Sequence, residues 1–157
     1  MIREGEKPVS STANPKRLQI LLVEDNPGDV RLTQEVLIEN GALLDLHVVE
    51  NGVEAIEFLN RKDKYNDAPR PDLVLLDLNL PKKSGREVLS EIKANDVIKT
   101  IPVVVLTTSQ AENDIVKAYG LHANCYITKP ANLAEFIDVM KAIEYFWLKV
   151  VKLPSAR

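Results

Sequence analysis

The order of apolar signals along the chain predicts an α/β fold: five β-α units that build a doubly wound, five-stranded parallel sheet with helices on both faces. Three observations carry this. Five short β-rich runs alternate with five segments of helical spacing. Three of those runs are nearly continuous apolar strings, the pattern of strands covered on both faces. Asn, Ser, Gly and Pro fall at the joints between runs and helices.

The first strand is Leu18–Val23, and Val30, Thr33 and Leu37 at i, i+3 and i+7 mark a first helix that Asn40-Gly41 ends. A second strand over 46–49 leads to Asn51-Gly52, the start of the second helix. Leu73–Leu76 is the third strand, and Ser84-Gly85 precedes a third helix in which Val88, Leu89 and Ile92 share a face. The fourth strand covers 101–106, and Gly120 closes the helix after it. The fifth covers 124–127, and Pro130-Ala131-Asn132 opens the last helix. That helix carries the longest stripe: Leu133, Phe136, Ile137, Met140, Ile143 and Trp147.

Composition narrows the function classes. The 157 residues hold 20 Lys+Arg against 23 Asp+Glu, a net charge of −3, with 45% hydrophobic and 27% charged residues. Those are the proportions of a soluble, single-domain globular protein. A charge this near zero gives no reason to expect nucleic-acid binding, which needs a clustered excess of Lys and Arg. The longest apolar runs are short pieces such as Val103-Val104-Val105-Leu106, far below the roughly 20 residues that cross a bilayer. MIREGEKPVS is charged from its third residue and lacks the apolar stretch of a signal peptide. A single cysteine, Cys125, excludes an intrachain disulfide and fits a reducing compartment, so a cytoplasmic location is expected. Residues 1–17 are polar and aperiodic, the composition of a flexible arm.

In a sheet of this kind the active crevice lies beyond the carboxyl ends of the strands. Strand one ends in Glu24-Asp25, strand three in Asp77 and strand four in Thr107, and strand five runs into Lys129-Pro130. Singly, each is an ordinary turn or capping residue. Together they bring three carboxylates, a hydroxyl and an ammonium to one edge. Three clustered carboxylates stay ionised only beside cations. Lys129 is one such cation, and Mg²⁺, a hard ion that takes carboxylates, waters and a phosphate oxygen, suits the rest. An ionised Asp in that setting is a nucleophile toward a phosphoryl group, giving an acyl phosphate whose oxygens Lys129 and Thr107 would meet.

The strings Leu22-Val23-Glu24-Asp25-Asn26, Leu75-Leu76-Asp77-Leu78-Asn79-Leu80-Pro81, Val105-Leu106-Thr107-Thr108-Ser109 and Tyr126-Ile127-Thr128-Lys129-Pro130 resemble the motifs of response-regulator receiver domains in type, order and spacing. The resemblance covers 18–148 and leaves 149–157 as an extension of the last helix and a tail. It implies the flavodoxin-like strand order 2-1-3-4-5. It also implies that Asp77 accepts a phosphoryl group from the phosphohistidine of a histidine kinase. Glu24, Asp25 and Asp77, with the backbone carbonyl of Asn79, would hold Mg²⁺. Thr107 would be the switch hydroxyl, Lys129 the phosphoryl-binding lysine, and Tyr126 the aromatic ring that turns inward. Such a protein is a signalling component whose own catalysis is limited to its phosphotransfer and autodephosphorylation, and a downstream protein reads its surface.

Two departures from the pattern stand out. Thr108 replaces a smaller residue, and the polar stretch 61–71 is longer than a minimal receiver has. That stretch, the LTTS string and the C-terminal FWLKVVKLP resemble the small stand-alone response regulators of cyanobacterial phytochrome histidine kinases. Rival readings lack key residues. An aspartyl-phosphate hydrolase wants a second Asp two residues after the first, where this chain has Asn79, which cannot titrate. A flavin or nucleotide module wants a Gly-rich loop after strand one, where this chain has Glu24-Asp25-Asn26. A phosphorylation-independent interaction module would lack a site residue, and none is missing. His47 and His122 read as surface or packing histidines, and Cys125 as an inert buried thiol.

The last helix changes character near its end. From 143 to 153 (IEYFWLKVVKL) apolar residues cover most of its circumference, which predicts burial all round. The expected solution is a symmetric homodimer through Tyr145, Phe146, Trp147 and Val150, with a tail folded back over its own domain as the alternative.

Overall fold

The structure, a computed structural model, describes residues 17–39, 43–108 and 112–154. The expected end of the first helix at Asn40-Gly41, the first sixteen residues of the N-terminal arm and Ser109 of the LTTS string lie outside these. The strands are β1 (Leu18–Val23), β2 (Leu44–Val49), β3 (Leu73–Leu76), β4 (Val103–Thr107) and β5 (Cys125–Thr128). The helices are α1 (Pro27–Glu39), α2 (Gly52–Asn60), α3 (Gly85–Ala94), α4 (Glu112–Gly120) and α5 (Leu133–Ile143). All strand pairs are parallel, in the order β2-β1-β3-β4-β5, as the resemblance implied.

Alternation along the strands builds two cores. Leu21, Val23, Val74, Leu76, Val103 and Val105 face α2, α3 and α4, where Phe58, Leu89 and Ile92 meet them. Ile20, Leu22, Leu73, Leu75, Val104 and Leu106 face α1 and α5, where Leu37, Phe136 and Met140 meet them. Strands buried on both sides have no polar face, which is why their sequences read as unbroken apolar runs. Burying each Leu or Ile of these layers stabilises the fold by about 2 kcal/mol.

The helix starts follow the capping chemistry of the sequence. Asn51, Ser84 and Asn132 cap α2, α3 and α5 by accepting the backbone N–H groups of Glu54, Glu87 and Glu135. Ser84 and Glu87 form a reciprocal capping box.

Strand boundaries differ from the expected ones for identifiable reasons. β2 begins two residues early because Leu44 and Asp45 pair with Leu18 and Gln19, with the Asp45 carboxylate held by Arg17 and Gln19, each at 2.8 Å. Arg17, the last residue of the expected arm, also donates to the Leu44 carbonyl at 2.7 Å. β4 starts at Val103 because Pro102 has no N–H to donate. The Asn124 side chain accepts the Val103 N–H at 2.8 Å, and β5 accordingly begins at Cys125.

The stretch 61–71 is packed down on the domain. A short 3₁₀ turn, Asp63–Tyr65, sets the Tyr65 ring 5.3 Å from Phe58, and the Tyr65 hydroxyl donates to Glu54 at 3.1 Å. Arg70 then donates to the Val97 carbonyl at 2.6 Å and to the Thr100 hydroxyl at 3.0 Å.

After α5 the chain widens into a π-helical segment, Glu144–Val150, and then runs extended. Trp147 and Leu148 pack onto the β1/β3/β4 face of their own domain, while Tyr145, Phe146 and Val150 are 62%, 48% and 53% exposed. Residues 151–154 lie beside Leu18 and Asp72 at the opposite edge of the sheet from the strand carboxyl ends. Among the described residues no helix is long and apolar enough to cross a membrane.

Candidate functional site at the strand carboxyl ends

The sheet ladder runs one residue past the strands and thereby places the site. Glu24 N–H donates to the Val49 carbonyl at 3.0 Å, Asp77 N–H to Val23 at 3.1 Å, and Lys129 N–H to Thr107 at 2.7 Å. Each polar residue is therefore fixed by backbone bonds at the strand end where its apolar run stops. Gly85 closes this edge from below: its N–H donates to the Leu78 carbonyl at 3.0 Å. A Cβ there would strike the Asp77 carbonyl oxygen and the Leu78 Cα.

Lys129 is the centre of the cluster. Its ammonium lies 2.5 Å from Glu24 Oε1, 2.9 Å from Asp29 Oδ2 and 3.3 Å from Asp77 Oδ2, with the side chain only 5% exposed. Glu24 and Asp77 are buried with it, whereas Asp25 is exposed. Burial alone would lower the Lys129 pKa; the bonds to Glu24 and Asp29 and the charges of Glu24 and Asp77 more than reverse this, so the ammonium stays charged. Burial pushes the Glu24 carboxyl up to about 7, against the pull of Lys129, and the Asp77 charge adds to the rise. One lysine does not supply enough positive charge for this cluster.

A divalent cation fits that deficit. Glu24, Asp25 and Asp77 offer carboxylate oxygens within 4.8 Å of one another, a spacing and donor type suited to a hard ion. Around Asp77 the remaining groups are ordered by hydrogen bonds. Asn79 N–H donates to Asp77 Oδ1 at 3.1 Å, and its side-chain amide donates to the Thr107 hydroxyl at 3.3 Å. Thr107 is fully buried. Tyr126 sits on edge strand β5, half-buried against the α2/α3/α4 core, and its N–H donates to the Tyr119 hydroxyl of α4 at 3.2 Å.

The structure thus gathers Glu24, Asp25, Asp77, Asn79, Thr107 and Lys129 at one edge. It adds Asp29, which the strand-end argument misses because Asp29 lies in the first turn of α1. Its position there, beside Pro27-Gly28, reads as an ordinary favourable acid at a helix N-terminus. The terminal residues lie elsewhere: Phe146 and Trp147 make an edge-to-face pair at 5.5 Å beside an apolar groove of about 710 Å³ that Cys125 and Ile127 also line. Cys125 is half-buried there rather than enclosed, because β5 is the edge strand. His47 bonds Gln19 at 2.7 Å and packs its ring at a tilt against Phe58, a packing role.

Similar proteins share this fold over most of their length. Response regulator Rcp1 of Synechocystis sp. is 51% identical over 148 residues, 94% of this chain and 100% of the relative. The crystal structure of the Mn²⁺-bound form of Rcp1 superposes with a TM-score of 0.86 at 51% identity, over 88% of this chain and 99% of that one. The phosphorylated cyanobacterial phytochrome response regulator RcpA gives 0.87 at 52% identity, over 89% of this chain and all of its own. The family defined as the response regulator receiver domain matches residues 20–141, the stretch that contains every strand-end residue described above. A sheet of this order with this family match over most of its length leaves one conclusion: the chain belongs to the response regulator receiver domain family, a class of signalling proteins.

Proposed function

We propose that Asp77 is the phosphoacceptor of this response regulator and takes its phosphoryl group from the phosphohistidine of a histidine kinase. The observation that carries the reading is Lys129, bonded at once to Asp77, Glu24 and Asp29 beside the buried Thr107 hydroxyl. Asp77 Oδ1 is oriented by the Asn79 N–H, so the carboxylate is held ready before a donor arrives. Lys129 meets the negative charge that the phosphoryl oxygens bring to Asp77. Glu24, Asp25 and Asp77, with the Asn79 carbonyl, would hold Mg²⁺, which would supply charge neutralisation for phosphoryl transfer. Thr107 then bonds a phosphoryl oxygen, leaves Asn79, and makes room for Tyr126 to turn inward.

Asn79 argues against hydrolysis of foreign phosphoesters, since an amide spent on Thr107 cannot act as the general acid. The likeness to RcpA, a cyanobacterial phytochrome response regulator, supports a phytochrome histidine kinase as the donor; in this reading a receiver spans 18–148, the 149–157 tail follows it, and the protein is cytoplasmic. The exposed Tyr145, Phe146 and Val150, beside the half-buried Trp147, support a homodimer, and a further protein, not nucleic acid or membrane, reads the switched surface.

The test is labelling with acetyl phosphate or a phosphorylated kinase, with Mg²⁺ and with chelator. Acid-labile label that needs Mg²⁺ and vanishes in Asp77→Asn is expected. Normal labelling of Asp77→Asn rejects the assignment.

A further inference from the structure

An ammonium has three N–H groups, and in Lys129 the carboxylates of Glu24, Asp29 and Asp77 take all three. The longest bond, 3.3 Å, goes to Asp77; Glu24 and Asp29 hold the ammonium more closely, at 2.5 and 2.9 Å. A lysine that is to follow a phosphoryl group must release one of these partners. Asp29 is the one water can serve, because its side chain is 25% exposed while Glu24 and Asp77 are at 4% and 8%. Its position in the first turn of α1 keeps it favourable as an anion after release, and its backbone N–H stays bonded to Asn26 Oδ1 at 3.0 Å.

We propose that Asp29 is a positioning residue for phosphotransfer: a carboxylate that competes with the incoming phosphoryl group for Lys129 and so sets how readily the site accepts an anionic phosphodonor. The proposal rests on the reading of Asp77 as phosphoacceptor. In the step itself, an Asp77 carboxylate oxygen forms a bond to phosphorus while the bond from phosphorus to the donor atom breaks, a nitrogen in phosphohistidine and an oxygen in acetyl phosphate. With acetyl phosphate, acetate leaves with that electron pair and no proton need move. Negative charge is conserved overall but relocated next to Asp77. Asp29 opposes both the approach of the donor and the shift of Lys129 toward it.

The experiment measures the bimolecular rate constant for phosphorylation of the full chain by acetyl phosphate with Mg²⁺, over a series of ionic strengths. Asp29→Asn removes one negative charge and weakens the hold on one lysine N–H, so the rate constant rises about tenfold at low salt. That gain shrinks as salt screens the site. Asp29→Glu, which keeps the charge, returns the rate and its salt dependence to those of the unaltered protein. Asp29→Ser behaves as the Asn variant does, which guards against a folding defect peculiar to one substitution. Rates and salt dependences of Asn and Ser variants equal to those of the unaltered protein overturn the proposal. A Glu variant that matches Asn overturns it as well, because charge would then not be the cause. Loss of labelling in Asp77→Asn alongside either result leaves the phosphoacceptor reading standing; persistent labelling there removes that reading instead.

Discussion

The side-chain amide of Asn79 donates to the hydroxyl of Thr107 across 3.3 Å, joining the loop after β3 to the end of β4. Thr107 is fully buried, so this bond fixes the hydroxyl in the resting state. Movement of Thr107 toward a phosphoryl group on Asp77 must break it. Thr107→Ala is therefore expected to accept label while losing the response of Tyr126. The measurement is the shift of the Tyr126 NMR signals when acetyl phosphate and Mg²⁺ are added. A shift equal to that of the unaltered protein rejects the coupling without touching the chemistry.

Removing the ammonium should be costly, and a divalent ion should offset part of the loss. Lys129→Ala leaves buried Glu24 and Asp77 without their cation, which costs about 3–5 kcal/mol, or about 6–20 °C in thermal midpoint for a chain of this size. In the variant no ammonium competes for the carboxylates, so Mg²⁺ should raise the midpoint more than in the unaltered protein. Thermal unfolding in EDTA and in Mg²⁺ reads both effects. An unchanged midpoint in EDTA contradicts the charge balance described above.

Gly85 has no room for a side chain. Gly85→Ala drives a methyl group into the Asp77 carbonyl and the Leu78 Cα, so the strand end that carries Asp77 has to shift. A loss of about 2 kcal/mol in urea unfolding is expected, within the range for overpacking against backbone. Slower labelling by acetyl phosphate should accompany it. Unimpaired stability and labelling together would refute the contact.

Tyr65 gives the docked stretch 61–71 an alkaline signature. Burial, then the Glu54 bond and charge, push its hydroxyl up to about 12 from the ordinary 10.0. A folded-state pKa above the unfolded value contributes stability that is fully present below pH 10 and is lost as pH rises through 12. Tyr65→Phe should remove that part of the alkaline slope. Urea midpoints from pH 8 to 12 check it; an identical slope in the variant is the failing result.

Homodimer formation is expected to rest on Phe146 and Val150, which are exposed, more than on Trp147, which packs on its own domain. Sedimentation of the unphosphorylated protein at micromolar concentration should show a dimer, and Phe146→Ala with Val150→Ala a monomer. A monomeric unaltered protein removes the idea.

Much of this was legible in the residues alone. Strands such as Leu73–Leu76 are apolar throughout because both faces are covered, and each run stops where a polar residue reaches the sheet edge. Run ends therefore located Glu24, Asp77, Thr107 and Lys129 without coordinates. Asn51, Ser84 and Asn132 likewise announced their helices, since capping is a local interaction.

Other features depended on residues far apart in the chain. Leu44 and Asp45 became strand because β1 pairs with them, and Pro102 delayed the start of β4 to Val103, whose N–H the Asn124 side chain took. Trp147 continues the Phe136, Met140 and Ile143 stripe onto the sheet face, as the helical period placed it, whereas the π-helical form of 144–150 is not written in that period. Asp29 joined the site through a lysine 100 residues later. Local periodicity determines which face an element buries and where it stops. Which side chain meets an ammonium at that edge is decided by the packing of α1 against the sheet, and only the tertiary structure contains it.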